Sequence, residues 1–311
     1  MAIIDSIGEN LTSKEYITNP AIAREDEIKK MMIVLLTPEK SALLVGKPGI
    51  GKTAIVEGLA YKIQNNDVPD SLQGYQIIKV NSSSLLNKIT VDGREELTIN
   101  LVLDELKNMG KVILFIDEVH TLVNSNTDSP IDLANILKPC LDRGDIKAIG
   151  ATTDKEYETY IVRDRAFLRR FDRIDVLEPT PEVTVQILLK SLPKIEHQTG
   201  IKFKYSSYIV EQLLESIVSA TSEYKRVYGL AAMYPDVSFS VLSQAFSLAL
   251  VDNRDYVSIT DVYNAIKISK RIYPDSIVKE LALFREKFLK ACTEEGITLP
   301  VVNLSDIEEV V

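Results

Sequence analysis

The chain of 311 residues contains little cysteine and histidine, which limits the metal and redox chemistry available to it. Cys140 and Cys292 are the only cysteines, so the sequence argues against a disulfide framework and against a cysteine zinc site. His120 and His197 are the only histidines, and this excludes a metal centre built from several of them. We therefore expect a reduced, cytoplasmic protein.

Long apolar segments and clustered positive charge are also lacking. No run reaches the roughly 18 apolar residues that span a membrane, and residues 1–5 contain no basic region followed by an apolar one. We expect neither a membrane span nor export. Asp and Glu number 45 against 36 for Lys and Arg, and no basic run exceeds two residues, as in Lys29-Lys30 and Arg169-Arg170. Because nucleic-acid binding relies on lysines and arginines that meet phosphates, this charge does not favour a nucleic-acid partner.

Between Ser41 and Val176 the chain alternates short aliphatic runs with longer segments of helical periodicity. The short runs lack strict polar alternation, as is typical of strands covered on both faces. They are Ala42–Val45, Tyr75–Val80, Val112–Ile116, Lys147–Ala151 and Ile174–Leu177. The helical segments between them are Lys52–Gln64, Leu97–Asn108, Ile131–Leu141 and Asp154–Tyr160. This order predicts an α/β fold with a mostly parallel sheet and helices on both faces.

Helical segments dominate after Glu178-Pro179-Thr180-Pro181, where the strand signals nearly stop. They are Pro181–Gln198, Ser206–Ala220, Asp236–Val251 and Thr260–Lys270, with a further helix at Ser276–Ala291. We predict a large α/β domain over residues 1–178, a small helical domain over residues 179–273, and a C-terminal helix and tail over residues 274–311.

A glycine-rich segment after the first strand matches the phosphate-binding pattern G-x-x-x-x-G-K-[ST] in full. It reads Gly46-Lys47-Pro48-Gly49-Ile50-Gly51-Lys52-Thr53. Glycines let such a loop curl so that backbone N–H groups converge on phosphates, and the following helix adds the positive end of its dipole. The alternative is a chance match in an ordinary turn, but a strand precedes this segment and a helix follows it.

The loop pattern assigns a role to individual side chains. Lys52 would reach the outer phosphates of ATP, and the hydroxyl of Thr53 would ligate Mg²⁺. We predict that Mg–ATP is held by consecutive loop and helix residues, namely Pro48, Gly49, Ile50, Gly51, Lys52, Thr53 and Ala54.

Two carboxylates end the strand Val112–Ile116. In open α/β sheets ligands lie beyond the carboxyl ends of the strands, so Asp117 should face the same crevice as the phosphate loop. We predict that Asp117 completes the Mg²⁺ site, commonly through water, and that Glu118 orients and deprotonates the attacking water. The alternative is a solvated junction between strand and loop, where Asp is common.

Several ordered segments together resemble the AAA+ ATPases, specifically the first ATPase module of the Clp-type unfoldases and disaggregases. Besides the phosphate loop and the acidic pair, they are Asn19–Glu25, Leu137–Asp145, Ile149–Tyr157 and Ala166–Phe171. The resemblance covers Asn19 to Pro181 strongly and continues weakly to about Lys270. It implies a P-loop NTPase (AAA+) sheet with flanking helices, followed by a small all-helical lid domain.

The resemblance also implies further site residues. Ile22 and Ala23 lie in the segment that contacts adenine in the family, and Thr152 resembles the sensor of the γ-phosphate or attacking water, with Thr153 as the alternative. Arg169 and Arg170 resemble arginine fingers, which complete the site of an adjacent subunit. The alternative for the pair is a solvated basic surface. If the arginines are fingers, the ATP sites lie between subunits and a closed homo-oligomeric ring, a hexamer, follows.

Two departures from the family bear on its mechanical role. The family threads polypeptide with a loop that carries an aromatic residue two positions before a glycine, whereas this chain has Val91-Asp92-Gly93. In the helical region, Met233–Ser238 has no sensor arginine, as in first-position Clp modules. The first change leaves the predicted ATPase chemistry unaffected, whereas the second predicts hydrolysis that is slow or more dependent on neighbouring subunits.

Three functions are compatible with these residues. The first is a ring-forming ATPase that remodels a protein substrate or assembly. The second is a nucleotide-dependent oligomeric switch or loader, possibly in nucleic-acid transactions, that threads nothing. The third is a scaffold held together by bound ATP, and the presence of Glu118, Thr152 and the arginine pair argues against it. We favour the first.

Overall fold

The computed structural model describes residues 3–85, 87–91, 94–123, 136–137, 140–141, 146–229 and 233–307. The chain forms two compact units. One comprises residues 1–47 and 51–177, and the other comprises residues 48–50 and 178–311. No helix among the described residues combines the length and apolar character that crossing a membrane requires.

A six-stranded sheet forms the centre of the first unit. Its strands are β1 (Gly8–Asn10), β2 (Ser41–Val45), β3 (Gln76–Asn81), β6 (Val112–Asp117), β7 (Lys147–Thr152) and β8 (Phe171–Asp175), in the spatial order β1-β3-β6-β7-β2-β8. Only β1 is antiparallel to its neighbour. Every residue of β2 and the first five of β6 are buried, which explains why these strands read as unbroken aliphatic runs. The predicted α/β fold class is confirmed.

A hairpin and short and long helices complete the first unit. The hairpin pairs β4 (Lys88–Val91) with β5 (Arg94–Leu97). The helices are α1 (Ile4–Ile7), α2 (Glu25–Leu36), α3 (Lys52–Gln64), α4 (Ser82–Leu85), α5 (Thr98–Met109), α6 (Asp154–Glu156) and α7 (Arg165–Leu168). Single turns of 3-10 helix occur at Leu11–Ser13, Asp70–Leu72 and Val119–Leu122, and a π-helical turn at Tyr157–Ile161. One face of the sheet buries Leu43, Ile78 and Leu114 in a cluster with Val102 and Leu106 of α5.

The second unit is almost entirely helical. Its helices are α8 (Pro181–Thr199), α9 (Ser207–Ala220), α10 (Asp236–Val251), α11 (Ile259–Lys267), α12 (Pro274–Lys287) and α13 (Leu289–Glu294), with 3-10 turns at Glu223–Lys225 and Leu304–Asp306. The unit also contains a parallel pair of two-residue strands, β9 (Lys202–Phe203) and β10 (Tyr256–Val257). Ile277, Leu281 and Phe284 of α12 lie in the same apolar cluster as Leu213 of α9 and Phe246 of α10.

Some predicted element bounds were wrong for identifiable reasons. The last strand was expected at Ile174–Leu177 but is β8, because it pairs in parallel with β2 from Ser41 opposite Phe171 onward. The Phe171 ring stacks on Phe167, whereas Leu177 is 74% exposed. The helix expected at Asp154–Tyr160 widens after α6 into the π-helical turn. Most of the helix expected at Ile131–Leu141 lies outside the described residues.

Candidate functional site

The glycine-rich loop joins β2 to α3 and depends on two backbone conformations that favour glycine. Gly49 has φ 78°, and Gly51, which precedes the helix, has φ 96° and ψ 27°. A side chain is strained in this left-handed region. Ile55 N donates to Gly51 O at 3.1 Å, which is the first hydrogen bond of α3. The N–H groups before Ile55 therefore have no partner within the helix and point toward the loop, as phosphate binding requires.

Lys52 bridges the loop from inside. Its Nζ donates to Gly46 O at 2.7 Å and to Lys47 O at 3.1 Å. Burial lowers the pKa of Lys52, although the nearby carboxylates of Asp117, Asp154 and Glu156 act in the opposite direction. A partly desolvated ammonium held only by carbonyl oxygens can exchange these for phosphate oxygens, which carry full negative charge.

Asp117 is the last residue of β6, and its carboxylate meets the first turn of α3. Thr53 Oγ1 donates to Asp117 Oδ2 at 3.0 Å, and Lys79 Nζ of β3 lies 3.7 Å from the same oxygen. A hydroxyl and a carboxylate oxygen side by side are ligands that suit Mg²⁺. No group of three or more His, Cys, Asp or Glu side chains in the described ranges could hold a metal by itself. The donor set thus fits a metal ion that shares its coordination with water and substrate phosphates.

Glu118 follows Asp117 in a turn that reverses the chain after β6. It adopts φ 54° and ψ 44°, a left-handed conformation that costs a non-glycine residue roughly 1 kcal/mol or more. Thr121 stabilises the turn by donating its N–H and its hydroxyl to Glu118 O, at 3.0 and 2.9 Å. The Glu118 side chain is exposed. Glu118 thus follows the candidate metal ligand Asp117 directly, and its carboxylate is accessible to water.

Thr152 ends β7 next to the start of the phosphate loop. It pairs with Val45 of β2, its carbonyl accepts a 3.3 Å hydrogen bond from Gly46 N, and its side chain is buried. His120 Nδ1 lies 3.2 Å from Thr152 Oγ1. The alternative sensor, Thr153, caps α6 through a capping box with Glu156. Its hydroxyl is engaged there, and Thr152 remains the candidate.

The predicted arginine fingers lie away from this site. Arg169 and Arg170 directly precede β8, and Ser41 N at the start of β2 donates to Arg170 O at 2.8 Å. Because β2 and β8 are parallel, both arginines lie at the amino end of β2, whereas the phosphate loop follows its carboxyl end. At about 3.3 Å per residue, roughly 13 Å of strand separates the two positions. The geometry thus brings five residues together at the carboxyl ends of the strands, namely Lys52, Thr53, Asp117, Glu118 and Thr152. Arg169 and Arg170 lie at the opposite ends of the strands.

The segment expected to contact adenine packs on α3. Ile22 is buried and Ala23 has φ 55°, while Asn19 Oδ1 accepts a 2.9 Å hydrogen bond from Ala21 N. A Cβ atom added to Gly58 of α3 would lie 2.2 Å from the Cβ of Ala21, so this contact requires glycine. In the segment that corresponds to the family's threading loop, Asp92, Gly93 and the Val91 side chain lie outside the described part of the chain.

Two residues of the site were not predicted from the sequence. Lys79 reaches Asp117 because β3 and β6 pair in parallel with Asn81 opposite Asp117, and no local pattern announces such a contact. Glu156 approaches both Thr152 and His120. The pattern Thr-x-x-Glu at residues 153–156 is a capping-box signature and could have identified it.

Comparison with known proteins identifies the family that the sequence motifs resemble. A family model described as "ATPase family associated with various cellular activities (AAA)" matches residues 42–178. The chain is 41% identical over 246 residues to the chaperone protein ClpB of Aquifex aeolicus, covering 78% of this chain and 24% of that protein. It is 32% identical over 333 residues to a homolog of the ClpA ATP-binding subunit of ATP-dependent Clp protease from Cyanidium caldarium, covering 99% and 38%.

Solved structures of Hsp104 show the same fold. A closed-state Hsp104 reconstruction with ATPγS and FITC casein matches with a TM-score of 0.72 and 31% identity, covering 85% of this chain and 45% of that one. The Saccharomyces cerevisiae Hsp104–ADP complex matches with a TM-score of 0.69 and 31% identity, covering 94% and 48%. The chain thus spans less than half the length of these relatives.

Proposed function

This chain belongs to the Clp-type AAA ATPases through its AAA domain at residues 42–178, and we propose that it hydrolyses Mg–ATP to remodel a protein substrate or assembly. The observation that carries the proposal is the meeting of Thr53 and Asp117 at 3.0 Å beside the loop that holds Lys52, with Glu118 next in sequence. These are the parts that phosphoryl transfer to water requires.

Each residue has a task that its position supports. The loop N–H groups and Lys52 bind the phosphates, and Thr53 and Asp117 hold Mg²⁺, directly or through water. A Mg²⁺ ion held there would supply positive charge that neutralises the phosphate oxygens. Glu118 orients the attacking water and accepts its proton, and Thr152 donates a hydrogen bond toward the γ-phosphate or that water. Ile22 and Ala23 would flank the adenine.

We propose further that identical subunits assemble into a ring, a hexamer as the family resemblance implies, in which the arginines complete the site of a neighbour. The backbone of Arg169 and Arg170 lies at the amino end of β2, whereas their own phosphate loop follows its carboxyl end, and this placement supports action on the site of another subunit. A guanidinium supplied in this way neutralises charge that builds up on the transferring phosphoryl group.

Mass measurement by sedimentation tests the assembly, using the protein with ATP, with ADP, and as Glu118→Gln with ATP. We expect a ring in the presence of ATP and in the Glu118→Gln variant. Arg169→Ala/Arg170→Ala subunits should be inactive alone but regain ATP turnover when mixed with inactive Glu118→Gln subunits, because each supplies what the other lacks. Arg163→Ala, a nearby exposed arginine, should remain active alone. A monomer under every condition, or no rescue on mixing, contradicts shared sites.

The second candidate is a nucleotide-dependent switch that assembles on a partner without threading it. It is favoured by Val91, which stands where the family's threading loop has an aromatic residue. Val91→Tyr distinguishes the two functions. A gain of ATP turnover on addition of an unfolded polypeptide favours remodelling by a weakened threading loop, whereas no change favours the switch.

A further inference from the structure

The candidate sensor Thr152 lies against a small polar cluster that the proposed chemistry does not use. His120 Nδ1 is 3.2 Å from Thr152 Oγ1 and also 3.2 Å from Glu156 Oε2, and Thr152 Oγ1 is 3.5 Å from that same carboxylate oxygen. The His120 ring stacks on Tyr160, with the planes 18° apart. The three polar side chains come from the turn after β6, the end of β7 and α6.

Glu156 can only accept hydrogen bonds in this cluster. Burial raises the pKa of Glu156, but the hydrogen bonds from Thr153 and the nearby His120 outweigh it and hold the pKa below its usual range. Oε2 accepts from Thr153 N at 3.2 Å and from Thr153 Oγ1 at 2.8 Å. An ionised carboxylate facing His120 Nδ1 requires that this nitrogen carry a hydrogen.

The state of His120 decides the direction of the Thr152 hydroxyl. Glu156 Oε2 and Thr152 Oγ1 are equally distant from His120 Nδ1, Glu156 as a charged neighbour and Thr152 as a hydrogen-bond partner, so a hydrogen on Nδ1 can be donated to Thr152. Thr152 Oγ1 then accepts from His120, and its own hydrogen is left to donate elsewhere. Glu156 competes weakly for it because 3.5 Å is long for a hydrogen bond between oxygens.

We propose that His120 and Glu156 are positioning residues that make Thr152 a hydrogen-bond donor toward the reacting phosphate or water. Glu156 selects the Nδ1–H form of His120, and His120 occupies the acceptor side of Thr152. The inference deepens the proposed function and rests on it, since it assumes that Thr152 faces the reaction.

Nuclear magnetic resonance tests the first step without any activity. The chain has two histidines, and His197 is exposed, so it serves as an internal reference. At about pH 8.5, above the range in which histidines ordinarily titrate, the ring ¹⁵N shifts should show His120 in the Nδ1–H form. Glu156→Ala should move His120 toward the Nε2–H form, whereas Glu158→Ala, at an exposed glutamate nearby, should not. An Nε2–H ring in the unaltered protein, or no response to Glu156→Ala, overturns the proposal.

Two substitutions of His120 separate positioning from packing. His120→Asn keeps an N–H donor near the Nδ1 position but removes the ring, and His120→Phe keeps the ring against Tyr160 but removes the donor. Positioning predicts that His120→Phe lowers kcat by about 10-fold or more with KM nearly unchanged, and that His120→Asn retains most of kcat. If His120 acts only by packing against Tyr160, His120→Asn should lower kcat more than His120→Phe does, and that result overturns the proposal. If the unaltered protein does not turn over ATP, the proposed function fails, while the ring tautomer still reports on the cluster.

Discussion

Thr53 and Asp117 lie 64 positions apart in the chain, yet the Thr53 hydroxyl donates to the Asp117 carboxylate at 3.0 Å. The contact arises because β6 ends, and α3 begins, at the carboxyl ends of the parallel strands. Parallel strands deliver their last residues to one edge, and the helix after the phosphate loop starts there. The proposed Mg²⁺ ligands and the phosphate loop therefore lie together at the carboxyl ends of the strands.

Asp117→Asn should selectively remove the contribution of Mg²⁺ to ATP binding. The amide still accepts a hydrogen bond from Thr53 but carries no charge for the metal, so ATP affinity in excess Mg²⁺ should fall about 10–100-fold. Affinity measured calorimetrically in EDTA should change little. The control is Asp104→Asn, at an exposed carboxylate of α5. An equal loss with and without Mg²⁺ would contradict the assignment of Asp117 to the metal.

Glu118→Gln should abolish turnover while preserving binding. Loss of the group that accepts the proton from water should lower kcat by about 10²–10⁴-fold with little change in the Kd of ATP. Phosphate release and equilibrium binding measure the two quantities separately. Glu39 is an exposed glutamate in nearly the same left-handed conformation, with φ 58°, so Glu39→Gln controls for the backbone. A Glu118→Gln variant that hydrolyses ATP normally would remove Glu118 from the mechanism.

The parts of the fold that were predicted from sequence are those with local signals. Helix α3 has the predicted bounds, because a glycine in a non-helical conformation directly precedes it and thirteen residues of helical pattern follow. Helix α2 was missed although Ile28, Met31 and Leu35 recur at helical spacing and are buried. Strand β1 has three residues and exists only through its antiparallel pairing with β3. Such pairing is a tertiary contact, and a local pattern does not reveal it.

The candidate site divides along the same line. Lys52, Thr53, Asp117 and Glu118 were predictable because a motif and a rule about strand ends place them together. The contacts of Thr152 with His120 and Glu156 depend on how the turn after β6 meets the end of β7. That meeting is set by side-chain packing between distant segments, which the sequence pattern does not describe.

Gly58→Ala tests the contact between α3 and the segment that includes Ile22 and Ala23. Alanine normally stabilises a helix interior by about 1 kcal/mol over glycine. Here the added Cβ would lie 2.2 Å from the Cβ of Ala21, and two Cβ atoms cannot separate without moving backbone. Overpacking of this kind costs about 1–3 kcal/mol, so we expect a net loss in the free energy of unfolding and weaker ATP binding.

A second substitution checks the cause of that loss. Ala21→Gly removes the opposing atom, so the double variant Gly58→Ala/Ala21→Gly should recover much of the stability lost by Gly58→Ala, a non-additive result in urea unfolding. A Gly58→Ala protein that is more stable than the unaltered chain would contradict the close packing.

The stability of the second unit should depend on pH through Asp261. Its buried carboxylate accepts hydrogen bonds from Ser258 N and Oγ, each at 2.7 Å, and from both terminal nitrogens of Arg254. Burial raises the pKa of Asp261, but these hydrogen bonds outweigh it and hold the pKa below the ordinary value of 3.8. A lowered folded-state pKa stabilises the fold above pH 3.8, and this contribution is lost as the pH falls through the folded-state pKa.

Asp261→Asn should therefore cost about 2–3 kcal/mol in urea unfolding near neutral pH, and the difference from the unaltered protein should shrink well below pH 3.8. Asp252 pairs with the same arginine but its side chain is 65% exposed, so Asp252→Asn should cost only about 0–1 kcal/mol at either pH.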